Sequence, residues 1–145
     1  MRDMRYKSGF TLVEVLIATI LVGLAIASLI GANISLTRAN GVGANLSTAE
    51  FLIEQIRERA IAADYDDLYT LEHFDGVSFS PPINADGNDL NNFAAFTEQI
   101  TVENVDGANF ENTVADHSSN FVRVTVRIFL NSKEINSTSW IRALY

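Results

Sequence analysis

Glu14 is the residue whose chemistry most needs an explanation. It is the one ionisable side chain in an apolar run, FTLVEVLIATILVGLAIASLI, that extends from Phe10 to Ile30. As a helix rising about 1.5 Å per residue, this run would be roughly 31 Å long, which matches the bilayer hydrocarbon core of about 30 Å. A carboxylate deep in a bilayer costs on the order of 3 kcal/mol, so it needs a partner.

The partner of Glu14 is not in the run itself. No Lys, Arg or His lies there within helical reach of the carboxylate. A cation would have to come from another chain, from lipid headgroups or from a newly made amino terminus. On helix geometry alone, a side chain four residues past Phe10 would extend to the membrane interface. The residue pattern leaves these alternatives open.

The surrounding residues form a recognisable motif. The stretch Gly9-Phe10-Thr11-Leu12-Val13-Glu14 resembles the processing motif of type IV prepilins and pseudopilins, and MRDMRYKSG is similar to their short basic leader. The resemblance implies that a prepilin peptidase cleaves between Gly9 and Phe10 and methylates the new amine of Phe10. It also implies that Glu14 pairs with the Phe10 amine of a neighbouring pilin or pseudopilin subunit during filament assembly.

Charge sets the expected orientation of the chain. Residues 1–9 carry Arg2, Arg5 and Lys7 against Asp3, and the next basic residue after the apolar run is Arg38. The positive-inside rule therefore predicts a cytoplasmic N-terminus and a C-terminal region outside. The net charge of −8 argues against nucleic acid as a partner. A secretory signal is disfavoured because the run exceeds a usual h-region and no A-x-A site closes it.

The predicted fold class is α+β, a type IV pilin-like fold with one long helix packed on a small antiparallel sheet. We expect a leader at 1–9, a transmembrane assembly helix at 10–30, an amphipathic continuation at 31–63 and an exported α+β region at 64–145. Gly23 and Gly31 are soft points of the helix, and the resemblance implies partial unwinding near them on assembly. An apolar stripe at helical spacing marks the continuation: Val42, Leu46, Ala49, Ile53, Ile56 and Ala60.

Residue alternation predicts the strands. A strand begins at Phe96, the clearest strand covers Phe121 to Leu130, and Asn131-Ser132-Lys133 turns into a partner strand over Glu134–Leu144. Trp140 is expected to anchor packing there. Residues 105–120 are predicted to be a polar loop. The connecting region 64–95 has turn chemistry but is too apolar for a free linker, so these side chains are expected to pack down: Leu68, Leu71, Phe74, Val77 and Phe79.

No enzyme is predicted. His73 and His117 have no partner at catalytic or metal-ligand spacing, and no cofactor is expected. One oxygen-rich cluster could be considered for calcium: Asp86, Asn88, Asp89 and Asn91. An EF-hand loop would need an acid where Thr97 stands, so a polar turn with Asx bonds is the expected structure.

The predicted function is structural. The chain is expected to be a minor pilin, held in the inner membrane and then transferred into a filament. Its expected partners are the prepilin peptidase, other pilin or pseudopilin subunits, the inner-membrane assembly platform and the lipid bilayer. A minor pseudopilin of a type II secretion system is the first alternative, and an unprocessed single-pass signal-anchor binding protein is a second. The sequence has no cysteine, unlike many pilins, which close their C-terminal segment with a disulfide.

Overall fold

A computed structural model of the chain describes residues 9–62 and 74–143. Its elements in chain order are the helix α1 (Leu12–Ala62), the strand β1 (Ser78–Phe79), a 3-10 helix (Asn91–Phe93), and the strands β2 (Phe96–Asn104), β3 (Phe121–Leu130) and β4 (Lys133–Ala143). The chain divides into two compact units, Met1–Val42 and Gly43–Tyr145. We call the second unit the head.

Helix α1 is continuous from Leu12 to Ala62, including the glycines at positions 23 and 31. In the first unit its apolar side chains are exposed, Leu12 by 83% and Leu29 by 71%. The helix is long and apolar enough to cross a membrane, and none of its most apolar 18-residue window is buried within the chain. Because so much apolar surface is unfavourable in water, this unit needs a lipid or protein environment.

The head contains a four-stranded antiparallel sheet with the strand order β1-β2-β3-β4. Strands β2 and β3 confirm the predicted alternation, and the α+β fold is confirmed. One face of the sheet is buried against α1 and the loop residue Ile83. The apolar side chains that β2 and β3 contribute to this core are Phe96, Ile100, Val102, Val122, Val124, Val126 and Ile128.

The helical stripe is confirmed only in part. Four of the predicted positions, Ala49, Ile53, Ile56 and Ala60, are buried, together with Leu52, which the prediction omitted. Val42 and Leu46 are 67% and 41% exposed, so their assignment to the stripe was wrong. Burial begins at Ala49 because no described part of the head covers the turn that carries Leu46.

The turn between β3 and β4 is shorter than predicted. Asn131 and Ser132 both have positive φ, 50° and 65°, as a two-residue hairpin turn requires. Lys133, which was predicted to lie in the turn, instead begins β4. Trp140 packs against the core, as predicted.

The connecting region packs down where the structure describes it, but it also contains β1 and the 3-10 helix, which were not predicted. Phe74 and Phe79 pack against the core and Val77 is half-buried, which confirms that the connecting region packs down at these positions. Leu68 and Leu71 lie outside the described residues, and so does Ala63, where the helix was predicted to end. The predicted loop 105–120 contains no strand and is closed by an isolated bridge between Val105 and Thr113.

The core stripe predicts the stability of the head. Ile56 is 1% exposed and Ile61 is 71% exposed on the same helix. Ile56→Ala should destabilise the head by about 2–5 kcal/mol, because it removes buried methyl groups and leaves a cavity. Ile61→Ala, the matched control, should change stability by roughly 0.5 kcal/mol or less. Denaturant unfolding of the detergent-solubilised chain, followed by Trp140 fluorescence, measures both. Equal effects would contradict the assigned core.

Candidate functional site

Thr11 caps the amino terminus of α1. Its carbonyl oxygen accepts a hydrogen bond from Val15 N–H at 3.2 Å, and its Oγ1 accepts one from Glu14 N–H at 3.2 Å. These are the bonds of an N-cap threonine with the third residue of its helix. The helix begins directly after this cap residue. The Gly9–Phe10 peptide bond therefore lies in non-helical chain that precedes the helix.

Gly9 and Phe10 are accessible. Phe10 is 82% exposed, and a side chain at Gly9 would meet no atom within 4 Å. Proteolysis is favoured in accessible chain outside helices and strands, and this segment is of that kind. A larger residue at position 9 would therefore fit in the described chain, so packing there does not require glycine.

Glu14 lies in the first turn of α1 with its side chain exposed. The partial positive charge at a helix amino terminus favours an acid at this place. Within residues 9–62 and 74–143, the carboxylate takes part in no hydrogen bond or ion pair. Its oxygens can thus accept hydrogen bonds from a second molecule.

A shallow groove extends along the helix from Glu14. It is almost entirely apolar, apart from this carboxylate and one hydroxyl, and small side chains make it open. Its lining residues are Phe10, Glu14, Val15, Ala18, Thr19, Val22, Gly23 and Ile26. The carboxylate therefore stands at one end of an apolar surface, where a cation on an apolar helix could meet it.

Two hydroxyl groups in the apolar run form hydrogen bonds within the helix itself and so do not need outside partners. Thr19 Oγ1 donates to Leu16 O at 2.8 Å, and Ser28 Oγ donates to Leu24 O at 2.8 Å. Such bonds to the preceding turn satisfy a hydroxyl in an apolar environment. Glu14 is consequently the group in the apolar run Phe10–Ile30 whose burial requires a partner.

Comparison with known proteins identifies the motif. A family model described as the prokaryotic N-terminal methylation motif matches residues 4–30. The chain carries the hallmark motif of type IV pilins and pseudopilins. Neither a curated protein nor a solved structure matches the chain significantly. Pilins, whose hallmark motif this is, are structural proteins, and the motif together with the apolar helix indicates membrane anchoring.

The two histidines are the other titratable candidates that the sequence offers. His117 is exposed at a left-handed position, φ 60°, and His73 lies outside the described residues. In the part of the chain that the structure describes, no group of three or more His, Cys, Asp or Glu side chains could hold a metal ion.

The oxygen-rich cluster lies in a small β-hairpin over residues 82–90, which we call the 82–90 hairpin. Leu90 N–H donates to Pro82 O at 2.7 Å, and Asn84 N–H donates to Asn88 O at 2.9 Å. Asn84 Oδ1 accepts from the amides of Asp86 and Asn88 at 3.0 and 2.8 Å. These Asx bonds are those of the predicted polar turn, although the sequence analysis had not singled out Asn84. The carboxylates of Asp86 and Asp89 are exposed, and Asn91 begins the 3-10 helix.

Two side chains of α1 hold the tip of this hairpin. Gln55 Oε1 accepts from Ala85 N–H at 3.3 Å, and Arg59 Nη1 donates to Ala85 O at 3.1 Å. The Arg59 guanidinium also lies 5.0 Å from the Phe74 ring centroid. A Cβ at Gly87, which has a φ of +86°, would come within 2.7 Å of this guanidinium. Glycine at position 87 therefore allows both the turn and the close approach of Arg59.

Glu98 is a residue that the sequence analysis missed. It is 0% exposed on the inward face of β2, where its Oε2 accepts from Ile83 N–H at 3.3 Å and its Oε1 has no partner among the described residues. Burial raises the pKa of Glu98 to about 7, and the Ile83 hydrogen bond lowers it only in part. The sequence did contain a clue, because position 98 lies between the inward residues Phe96 and Ile100.

Proposed function

We propose that the protein is a structural subunit of a type IV pilus-like filament. The observation that carries the proposal is an exposed carboxylate, Glu14, five residues after Gly9 in an exposed apolar helix. Cleavage between Gly9 and Phe10 by a prepilin peptidase creates an amine, which the same enzyme methylates. That amine supplies the cation that the helix lacks.

In this mechanism the helix serves first as an anchor and then as the filament core. The N-terminus is cytoplasmic and the head is outside, because the basic residues of the leader precede the apolar run. The assembly platform in the inner membrane moves the helix from lipid into a bundle of other pilin helices. Contacts of the apolar side chains with lipid are replaced by contacts with other apolar helices. The free-energy cost of the transfer is therefore small, apart from the cost of burying the carboxylate.

The pairing of Glu14 with the Phe10 amine of a neighbouring subunit fixes the axial register of the bundle. A buried carboxylate is tolerated only where it meets its counter-charge, since an unpaired charge in an apolar environment costs several kcal/mol. The groove beside Glu14 receives the neighbouring helix. Gly23 and Gly31 are the proposed points of partial unwinding, and slow, uniform hydrogen exchange through both glycines in assembled fibres would argue against it.

We assign the chain to the minor subunits, and its lack of cysteine and its small size support this assignment. The alternative is a minor pseudopilin of a type II secretion system, because the same motif and helix serve both machines. Deletion of the gene separates the two. We expect loss of surface fibres and of twitching, with secretion unchanged. Secreted proteins retained in the periplasm, with normal fibres, would instead favour the secretion machine.

Replacement of Gly9 tests processing. Gly9→Leu should leave the full-length precursor in the membrane, because a bulky side chain next to the scissile bond obstructs the peptidase. The matched control is Gly31→Leu, which places the same side chain at an exposed helical glycine where no atom lies within 4 Å, and it should be processed normally. Immunoblotting of membrane fractions resolves precursor from product. Normal cleavage of the Gly9 variant would refute the proposed site, and an unprocessed N-terminus in the wild type would favour a signal-anchor protein.

Replacement of Glu14 tests assembly separately from processing. Glu14→Gln keeps the size of the side chain but removes its charge, so the processed chain should accumulate in the membrane and be absent from sheared fibres. Glu58→Gln, at an exposed position of the same helix, is the charge-matched control and should be incorporated normally. Quantitative mass spectrometry of fibres measures both variants. Equal incorporation would show that the carboxylate does not direct assembly.

A further inference from the structure

The head contains a buried carboxyl group that filament assembly does not use. Glu98 is enclosed on the inward face of β2, and its register partners are Phe79 on β1 and Ile128 on β3. One of its oxygens has no hydrogen-bond partner among the described residues. A buried oxygen of this kind is tolerable when the carboxyl is neutral and unfavourable when it is charged.

The chain that contacts Glu98 is the start of the 82–90 hairpin. After β1 the chain passes Pro81 and Pro82, and Ile83 donates its amide to Glu98 Oε2 at 3.3 Å. Pro82 and Ile83 are buried, whereas the tip of the hairpin is exposed. Glu98 is therefore a direct link between the hairpin and the sheet.

Among the described residues, charged groups on the surrounding elements do not compensate a charge on Glu98. On the outer face of the sheet, Arg127 is exposed and Arg123 pairs with Glu103 at 2.8 Å. On α1, Arg59 is engaged with Ala85 O. The remaining charged side chains on α1 in the head and on the 82–90 hairpin are exposed or paired at the surface: Glu50, Glu54, Arg57, Glu58, Asp86 and Asp89.

We propose that ionisation of Glu98 releases the 82–90 hairpin from the core of the head, so that docking of the hairpin is pH-sensitive. Water can reach the charged carboxylate if Ile83 and the adjoining prolines move away. Displacement of this segment would also pull Ala85 from Gln55 and Arg59. The α1 stripe, β2 and β3, which form the rest of the core, need not open.

The direction of the pH effect follows from linkage. Burial raises the pKa of Glu98 from 4.5 to about 7 when the hairpin is docked, and an open, hydrated Glu98 returns toward 4.5. The docked state binds the proton more tightly, so its stability is fully present below pH 4.5 and is lost as pH rises to about 7. The opening equilibrium should therefore rise by up to about a hundredfold between about pH 5 and about pH 8.

Amide hydrogen exchange of the full chain in detergent micelles tests the proposal. We expect protection factors of Ile83 and Leu90, corrected for intrinsic exchange, to fall at least about tenfold between about pH 5 and about pH 8. Amides of β3 should keep their protection. Protection of Ile83 and Leu90 that does not change with pH would overturn the proposal.

Two further measurements identify the group responsible. Glu98→Gln should make the protection of Ile83 independent of pH, whereas Glu103→Gln, which changes a paired carboxylate on the outer face, should leave the pH effect intact. If Glu98→Gln does not fold, the carboxyl 13C titration of Glu98 in the unmodified chain decides. A midpoint near 7 that coincides with the loss of protection supports the proposal. A midpoint near 4.5 contradicts it.

Discussion

A carboxylate in an apolar helix is tolerated only with a counter-charge, and this constraint links the leader, the helix and assembly. Glu14 occupies the first turn of α1, with no partner for its carboxylate in the described chain. Helix polarity favours the acid there by only about 0.3–1 kcal/mol, which is less than the roughly 3 kcal/mol cost of placing it in a bilayer. In the proposed assembly the difference comes from another group, and an amino terminus made by cleavage before Phe10 would be the cation nearest in sequence.

One helix serves two environments because its apolar residues are distributed differently along its length. In the first unit apolar side chains surround the helix and are exposed, which suits lipid or a bundle of similar helices. Within the head, the buried side chains of the helix form a stripe that the sheet covers, and the charged side chains lie outside this stripe. In the proposed assembly, the head stays folded around its own part of the helix while the first unit exchanges lipid for other helices.

Local patterns in the sequence predicted much of this structure. The apolar run, the motif and the alternation in β3 are contained in short stretches, and the bounds of β3 were predicted correctly as Phe121–Leu130. The contact that anchors the 82–90 hairpin to the helix could not be predicted in this way. Arg59 and Ala85 are 26 residues apart, and the sequence around neither residue indicates the contact. Glu98 was overlooked because alternation identifies a strand even when one inward position is polar. How much of the helical stripe is buried depends on where the sheet ends. The spacing of apolar residues along the helix gives no information about that.

The central claim is that Glu14 meets an amino terminus made by cleavage. Zero-length carbodiimide cross-linking of native fibres, followed by peptide mass spectrometry, tests it most directly because the reagent joins a carboxylate only to an amine in contact with it. We expect this chain to begin at N-methylated Phe10 and its Glu14 to be linked to the N-terminal residue of an adjoining subunit. A chain that still begins at Met1, or a Glu14 that is linked only to lysine side chains, would contradict it.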